Sequence, residues 1–121
     1  MAPRETPDEV IEALDQVAET AEATAQDARW LQAAVRTSRR QRVQGRSWRE
    51  IIAGEDRPRL VERLSAVLAR LSGAGSRLRR AQARALRAEG LTIDQIAELF
   101  GVTRQRVSAL LGRNGSAGTG S

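Results

Sequence analysis

The sequence predicts an all-α protein with a long amphipathic N-terminal helix, short helices in the middle and a three-helix unit towards the C-terminus. Composition supports this class, because Ala, Leu, Arg, Gln and Glu dominate the 121 residues and favour helix, while aromatic residues are limited to 2%. The apolar residues support it as well, since they recur at a helical period and do not alternate as in a strand.

The residue types that are missing exclude most enzyme chemistry. The chain has no Cys and no His, so thiol nucleophiles, imidazole bases, disulfides and zinc or iron–sulfur sites are excluded. We therefore expect a protein that is not an enzyme and uses no cofactor and no metal. The sequence shows neither a signal peptide nor an apolar run long enough to span a membrane, which predicts a cytoplasmic protein.

The charge changes sign along the chain. Residues 1–27 contain one Arg and eight acidic residues, whereas residues 28–121 contain nineteen Arg and seven acidic residues. The first segment therefore carries a net charge of −7 and the second +12. A strongly basic body attracts nucleic-acid phosphates, and it attracts an acidic protein equally well.

Residues 1–46 predict an acidic-to-basic helical arm, with Thr6 as its N-cap and Pro7 at the first helical position. Its apolar residues follow the four–three spacing of a coiled coil; they are Val10, Leu14, Val17, Ala21, Thr24, Ala28, Leu31 and Val35. Two arrangements would cover this face. The arms of two chains pair in a homodimer, or the arm folds back antiparallel on the basic body of its own chain.

Residues 47–75 predict a helical scaffold. Ser47 and Glu50 have the spacing of a capping box, which starts a short helix. Trp48 and Ile51 are expected to be core residues of this helix.

Asp56 is expected to cap the next helix. The apolar stripe of this helix consists of Leu60, Val61, Leu64, Val67, Leu68 and Leu71. The small residues at 72–76 then predict a break, either an interdomain hinge or a tight connection between two packed helices.

Residues 76–113 predict three helices in fewer than forty residues. The first helix is expected to end at Gly90, and a capping box at Thr92 starts the second. Gly101 can adopt the positive φ of a sharp turn, and Thr103 caps the last helix, which is expected to end at about Leu111.

The expected core of this unit is apolar and closely packed. It consists of Ile93, Ile96, Ala97, either Leu99 or Phe100, Val107 and Leu110, with Val102 between the last two helices. Residues 114–121 are rich in Gly and Ser and are expected to be disordered.

The positions of Ala97, Gly101, Val102, Val107 and Leu110 resemble those of the bacterial helix-turn-helix families. The run that begins at Gly101 is similar to the last helix-turn-helix of sigma factors and to resolvase-type modules. The chain from Trp48 onward is similar to small actinobacterial helix-turn-helix proteins. In such proteins the last helix enters the major groove of duplex DNA.

This resemblance implies two sets of DNA-contacting residues. The residues that would face the bases are Thr103, Arg104, Gln105, Ser108 and Ala109. The residues that would contact phosphates are Arg80, Arg84, Thr92, Arg106 and Arg113.

The sequence therefore predicts a DNA-binding transcriptional regulator associated with the nucleoid, which binds double-stranded DNA as a homodimer and contacts the transcription machinery as a further partner. Two alternatives remain at this point. The chain is a protein-interaction module that binds RNA polymerase or a sigma factor, or it is an architectural nucleoid protein. An interaction module is expected to bury Arg104 and Gln105 or to use the apolar rim instead, whereas a DNA-binding helix exposes them.

Overall fold

The computed structural model describes the backbone of residues 8–119 and the side chains of residues 8–112. This part of the chain forms five helices: α1 (Glu9–Val43), α2 (Trp48–Ala53), α3 (Leu60–Ala88), α4 (Ile93–Phe100) and α5 (Arg104–Thr119). The described residues form no strand, and the predicted all-α class is confirmed. None of these five helices is long and apolar enough to cross a membrane.

The chain divides into two compact units. One unit contains residues 1–17 and 74–121, and the other contains residues 18–73. We call them the C-terminal unit and the central unit. Helices α1 and α3 each contribute one part to the first unit and one part to the second.

Within the central unit, α1 packs antiparallel against α3. Asp27 lies on α1 with only 7% of its surface exposed, and its carboxylate accepts hydrogen bonds from Arg63 (3.1 Å) and Arg70 on α3. The Arg63 guanidinium also lies 4.5 Å from the centre of the Trp30 ring. The N-terminal helix therefore folds back on its own chain, as one of the two predicted arrangements required.

The heptad spacing of α1 is present, but the prediction of its buried face was half wrong. Val10, Val17, Thr24 and Leu31 are partly buried, as expected. The other half of the predicted series is exposed, namely Leu14, Ala21, Ala28 and Val35. The row one residue earlier is turned inward instead, namely Ala13, Thr20, Asp27 and Ala34. The ion pairs of Asp27 and the small side chains of this row, which let two helices approach closely, account for the rotation.

The start of α1 is capped by Asp8. Its carboxylate accepts hydrogen bonds from the backbone N–H groups of Val10 (2.9 Å) and Ile11 (3.2 Å). The predicted cap, Thr6, lies outside the described residues.

Helix α2 begins with the predicted capping box. The Glu50 N–H donates to the Ser47 hydroxyl, and the Ser47 N–H donates to the Glu50 carboxylate, each over 3.1 Å. Ile51 is buried, but the prediction that Trp48 is a core residue was wrong, since it is 51% exposed. Trp48 is the first residue of a six-residue helix that buries only Ile51, so its ring stays at the surface under Arg42, 5.1 Å away.

The start of α3 also differs from the prediction. The helix begins at Leu60 rather than directly after Asp56, because Pro58 disfavours helical geometry in the residue before it. The Leu60 N–H donates to the Glu55 carboxylate over 3.1 Å, so Glu55 takes the capping role expected of Asp56.

Helix α3 continues through the small residues at 72–76, so both the predicted hinge and the predicted tight connection were wrong. Neither Gly73 nor Gly75 adopts a positive φ, and no proline interrupts the hydrogen bonds. Each glycine costs about 1 kcal/mol in a helix. Burial of Ala74, which is 3% exposed, helps to offset this cost.

Helix α5 is longer than expected. Its backbone is helical to Thr119, beyond the predicted end at about Leu111 and into the Gly- and Ser-rich segment. That segment contains no proline, so each residue retains the N–H that a continuing helix requires.

Candidate nucleic-acid interface

The end of α3 forms a three-helix core with α4 and α5. Ile96 and Ala97 of α4 and Val107 of α5 are buried at its centre, and Ile96 and Val107 are completely inaccessible. The partly buried residues around them are Leu86, Leu91, Ile93, Phe100 and Leu111. Phe100 rather than Leu99 faces this core, because Leu99 is 65% exposed.

Two glycines make the turns between these helices. Gly90 (φ +102°) follows α3, and Gly101 (φ +71°) follows α4. Both angles lie in the left-handed region that other residues rarely adopt, so the predicted roles of both glycines are confirmed. After the second turn the Val102 N–H donates to the Ala97 carbonyl over 3.0 Å, and 37% of Val102 remains exposed rather than filling the core.

Side-chain caps start the two short helices. The Gln95 N–H donates to the Thr92 hydroxyl over 3.1 Å, and the Thr92 N–H donates to the Gln95 side chain over 2.9 Å. At α5 the Arg106 N–H donates to the Thr103 hydroxyl over 3.1 Å. These hydrogen bonds fix where each helix begins and confirm the predicted caps.

One side of α5 is buried and the other is free. Val107 and Leu110 are buried, whereas the predicted base-facing residues are all exposed: Thr103, Arg104, Gln105, Ser108 and Ala109. Helical spacing puts Gln105, Ser108 and Ala109 opposite the buried side of α5. Arg104 and Arg106 lie at the two edges of this exposed side. The exposed side offers hydrogen-bonding groups beside a small methyl group.

The family model of a homeodomain-like domain matches residues 74–119. This part of the chain is therefore similar to a homeodomain-like domain, and its helices α4 and α5 are joined by a sharp turn at Gly101. This homeodomain-like segment covers the second half of α3 together with α4 and α5. No curated protein and no solved structure matches the chain at a significant level.

Within the homeodomain-like segment, Arg104 is held by α4. Its guanidinium donates to the Asp94 carboxylate over 2.7 Å, and the two side chains are 60% and 74% exposed. Such an exposed pair is weak and exchanges readily with solvent or another anion. Arg104 is therefore available to a ligand, in competition with Asp94.

The structure brings three of the predicted DNA-contacting residues together. Arg80 of α3 and Arg106 and Ala109 of α5 line one cleft of about 180 Å³, together with Ser76 and Leu110. Two guanidinium groups beside the exposed side of α5 suit a phosphate group.

The other predicted phosphate contacts are separate from this cleft. Thr92 is exposed at the start of α4, where its hydroxyl is used by the cap. The side chain of Arg113 lies outside the described residues.

Arg84 is occupied by α1 rather than exposed to solvent. Its guanidinium donates two hydrogen bonds to the Glu9 carboxylate, one of them over 3.0 Å, and its side chain is 23% exposed. The hydrogen bond from Arg84 holds the pKa of Glu9 below its ordinary value of 4.5. A phosphate contact by Arg84 would require this pair to open.

A second arginine of α3 also contacts α1, and this contact was not predicted. Arg77 donates to the Gln16 side chain and lies 3.8 Å from the Glu12 carboxylate. The signal was present in the sequence, because Glu9 and Gln16 are seven residues apart, as are Arg77 and Arg84. In two antiparallel helices these equal spacings bring Glu9 opposite Arg84 and Gln16 opposite Arg77.

Proposed function

We propose that this chain is a bacterial transcriptional regulator, located at the nucleoid in the cytoplasm, that inserts α5 into the major groove of duplex DNA. The observation that carries this proposal is the exposed polar side of α5 within a homeodomain-like segment. The resemblance to the helix-turn-helix of sigma factors and resolvases supports the same docking, in which the last helix contacts the bases.

The roles of the residues follow from their positions on α5. Arg104 suits guanine and Gln105 suits adenine, because each forms two hydrogen bonds with that base in the major groove. Thr103, Ser108 and Ala109 complete the base-facing set. Arg80 and Arg106 contact phosphates, as do Thr92, Arg113 and, once released from Glu9, Arg84.

The alternative interaction module receives less support. One of its two expected marks was burial of Arg104 and Gln105, and both residues are exposed; the other, use of the apolar rim, stays a prediction. We therefore propose the transcription machinery only as a second partner of the DNA-bound protein.

Gel-shift titrations with a random duplex pool, followed by sequencing of the bound fraction, test this function. We expect binding that weakens steeply with salt and a preferred sequence. Arg104→Ala should cost about 1–3 kcal/mol and relax the preference at one position, whereas Arg80→Ala should weaken all sequences evenly. Absence of duplex binding at low salt would rule out the proposal.

We further propose that the active form is a homodimer that pairs through the central unit. We place the seam on α3 rather than on the arm face that the sequence indicated, because only half of that arm face is exposed on α1. Helix α3 leaves a second apolar row at heptad spacing exposed, namely Val61 (70%), Leu64 (46%), Leu68 (60%) and Leu71 (41%).

The surroundings of this row suit a second copy of the same chain. Ser65, Ala69 and Ser72 lie beside it and carry no charge, so two copies related by a two-fold axis meet without repulsion. Exposed apolar rows of this length are uncommon on monomers.

A further inference from the structure

A second basic surface lies in the central unit, apart from the homeodomain-like segment. Six arginines are exposed where α1 ends and α2 begins: Arg36, Arg39, Arg40, Arg42, Arg46 and Arg49. We call this group the basic corner. Residues 36–49 contain no acidic residue, so the corner carries six positive charges on fourteen residues.

No carboxylate among residues 8–112 forms an ion pair with the basic corner, and only the charge of Arg46 is offset in part, by the nearby Glu50. By contrast, Arg63 and Arg70 of the same unit both pair with Asp27. The nearest acidic residue in sequence, Glu50, is engaged by Ser47 in the capping box. The hydrogen bonds from Ser47, and then the nearby positive charge of Arg46, hold the pKa of Glu50 below its ordinary value of 4.5, so Glu50 is negatively charged and offsets Arg46 alone among the six arginines.

The interactions that stabilise a helix account for only part of the corner. Arg40 and Arg42 lie in the last turn of α1, where positive charge is favoured by the helix dipole. Arg36 and Arg40 are four residues apart, and like charges at that spacing destabilise a helix. Arg46 and Arg49 lie beyond α1 altogether. Helix stabilisation therefore does not account for all of this positive charge, which would be favourably neutralised by an external anion.

The arrangement of the corner suits a series of phosphates. Arg36, Arg39 and Arg40 share one face of α1 and line a shallow, open depression with Val43 and Gln44. With a rise of about 1.5 Å per residue, these arginines project from about 6 Å of helix. An open surface with several guanidinium groups matches an extended polyanion better than a single small anion.

Trp48 adds a flat apolar surface beside these charges. Trp48 is half exposed, and the Arg42 guanidinium lies 5.1 Å from the centre of its ring. An aromatic residue among arginines is typical of nucleic-acid surfaces, where it contacts sugars or bases while the arginines hold phosphates.

We propose that the basic corner is a second, sequence-independent contact site for duplex DNA. This inference rests on the proposed DNA binding of the homeodomain-like segment, because DNA held there is present at high effective concentration for a second site on the same chain. The corner adds affinity and salt dependence, while α5 supplies sequence preference.

The test uses the full chain with Arg36, Arg39 and Arg40 all changed to Gln, which removes three charges and keeps a good helix former. Binding to a labelled duplex of about 30 base pairs is followed over a salt series. Each lost phosphate contact lowers the slope of log K against log salt by about 0.9, so we expect a fall of about 2–3 units. Affinity should fall at least tenfold, equally for all sequences, with unchanged helix content.

Control variants distinguish a defined DNA-contact site from a general effect of positive charge on DNA affinity. Changing Arg29 and Arg57 to Gln removes two charges from exposed positions outside both the corner and the homeodomain-like segment, and the slope should stay near that of the wild type. The triple Lys variant of the corner should retain most of the slope. Equal losses in the corner and control variants, or an unchanged corner variant, would overturn the proposal.

The same series distinguishes this proposal from the proposed function. If the corner variant loses binding while Arg104→Ala with Gln105→Ala changes nothing, the corner is confirmed and the role of α5 fails. If only the α5 variant matters, the corner fails and the role of α5 stands. If the corner binds polyglutamate but no duplex, its ligand is an acidic protein and the DNA assignment is wrong.

Discussion

Asp27 shows how one carboxylate orients a whole helix. It lies on the buried face of α1, and hydrogen bonds from Arg70 and then Arg63 hold its pKa below the ordinary value of 3.8. A buried charge is tolerated only where such partners surround it. Rotation of α1 by one residue towards the predicted face would leave Asp27 without both arginines.

This depressed pKa makes Asp27 one contributor to the pH dependence of stability, beside Glu9 and Glu50. A carboxylate whose pKa is lower in the folded state stabilises the fold above its unfolded pKa, and this contribution is lost as the pH falls below about 4 through the folded pKa. We expect Asp27→Asn to lower the melting temperature by several degrees at pH 7, with the difference from wild type shrinking between pH 5 and pH 2. Calorimetry measures both, and Glu22→Gln, an exposed α1 carboxylate, serves as the control. A constant difference across this range would contradict the assignment.

Asp94 is expected to weaken DNA binding by competing for Arg104. Asp94→Asn removes a negative charge near the DNA and frees the guanidinium, so duplex affinity should rise by about two- to tenfold at low salt. The exposed pair contributes at most about 1 kcal/mol, so the melting temperature should change little. Anisotropy titrations measure the affinity, with Glu98→Gln as the control on the same helix. A loss of affinity would show instead that Asp94 positions Arg104 for binding.

At the scale of elements, the same signal starts two different helices. A glycine with positive φ stands two residues before the cap in both cases, Gly45 before Ser47 and Gly90 before Thr92. Both caps form a complete capping box, and a buried isoleucine follows four residues after each cap. Local sequence therefore determined these two starts, and tertiary contacts decided what followed them.

Because α3 is uninterrupted, changing its glycines to Ala should have the opposite effect on stability from changing the turn glycine Gly101. Gly73 and Gly75 have helical backbone and no atom within 4 Å of an added Cβ, so changing both to Ala should raise the free energy of unfolding by about 1–2 kcal/mol. Gly101→Ala also meets open space, but its φ of +71° makes it destabilising. Denaturant titrations compare the three changes. Destabilisation by Ala at 73 and 75 would show that this segment bends.

At the scale of the whole molecule, the opposite charges of the two ends of the sequence are used internally. The acidic residues at the start of α1 contact α3 arginines in the C-terminal unit, and Asp27 does so in the central unit. Part of the positive charge of the arginines is therefore neutralised by ion pairs within the folded chain. Most of the arginines that we assign to DNA lack such partners; Arg84, paired with Glu9, and Arg104, paired with Asp94, would have to exchange theirs for DNA.

The homodimer is also tested on the whole molecule. Leu64→Glu with Leu68→Glu places four like charges in the proposed seam, so sedimentation should give half the wild-type mass with helix content retained. Leu14→Glu changes an exposed leucine outside the seam and should leave the mass unchanged. A wild-type chain that is already monomeric at about 100 μM would contradict the dimer, since even micromolar affinity suffices to assemble it there.

The sequence by itself determined those features that depend on neighbouring residues. The capping boxes at Ser47 and Thr92, the turns at Gly90 and Gly101 and the exposed side of α5 follow from short-range hydrogen bonds, backbone sterics and helical period. Only the tertiary structure decided which face of α1 is buried, that α3 continues through Gly73 and Gly75, and that Arg84 contacts Glu9. These features depend on residues far apart in sequence, whose packing and ion pairs outweigh the small differences in local propensity.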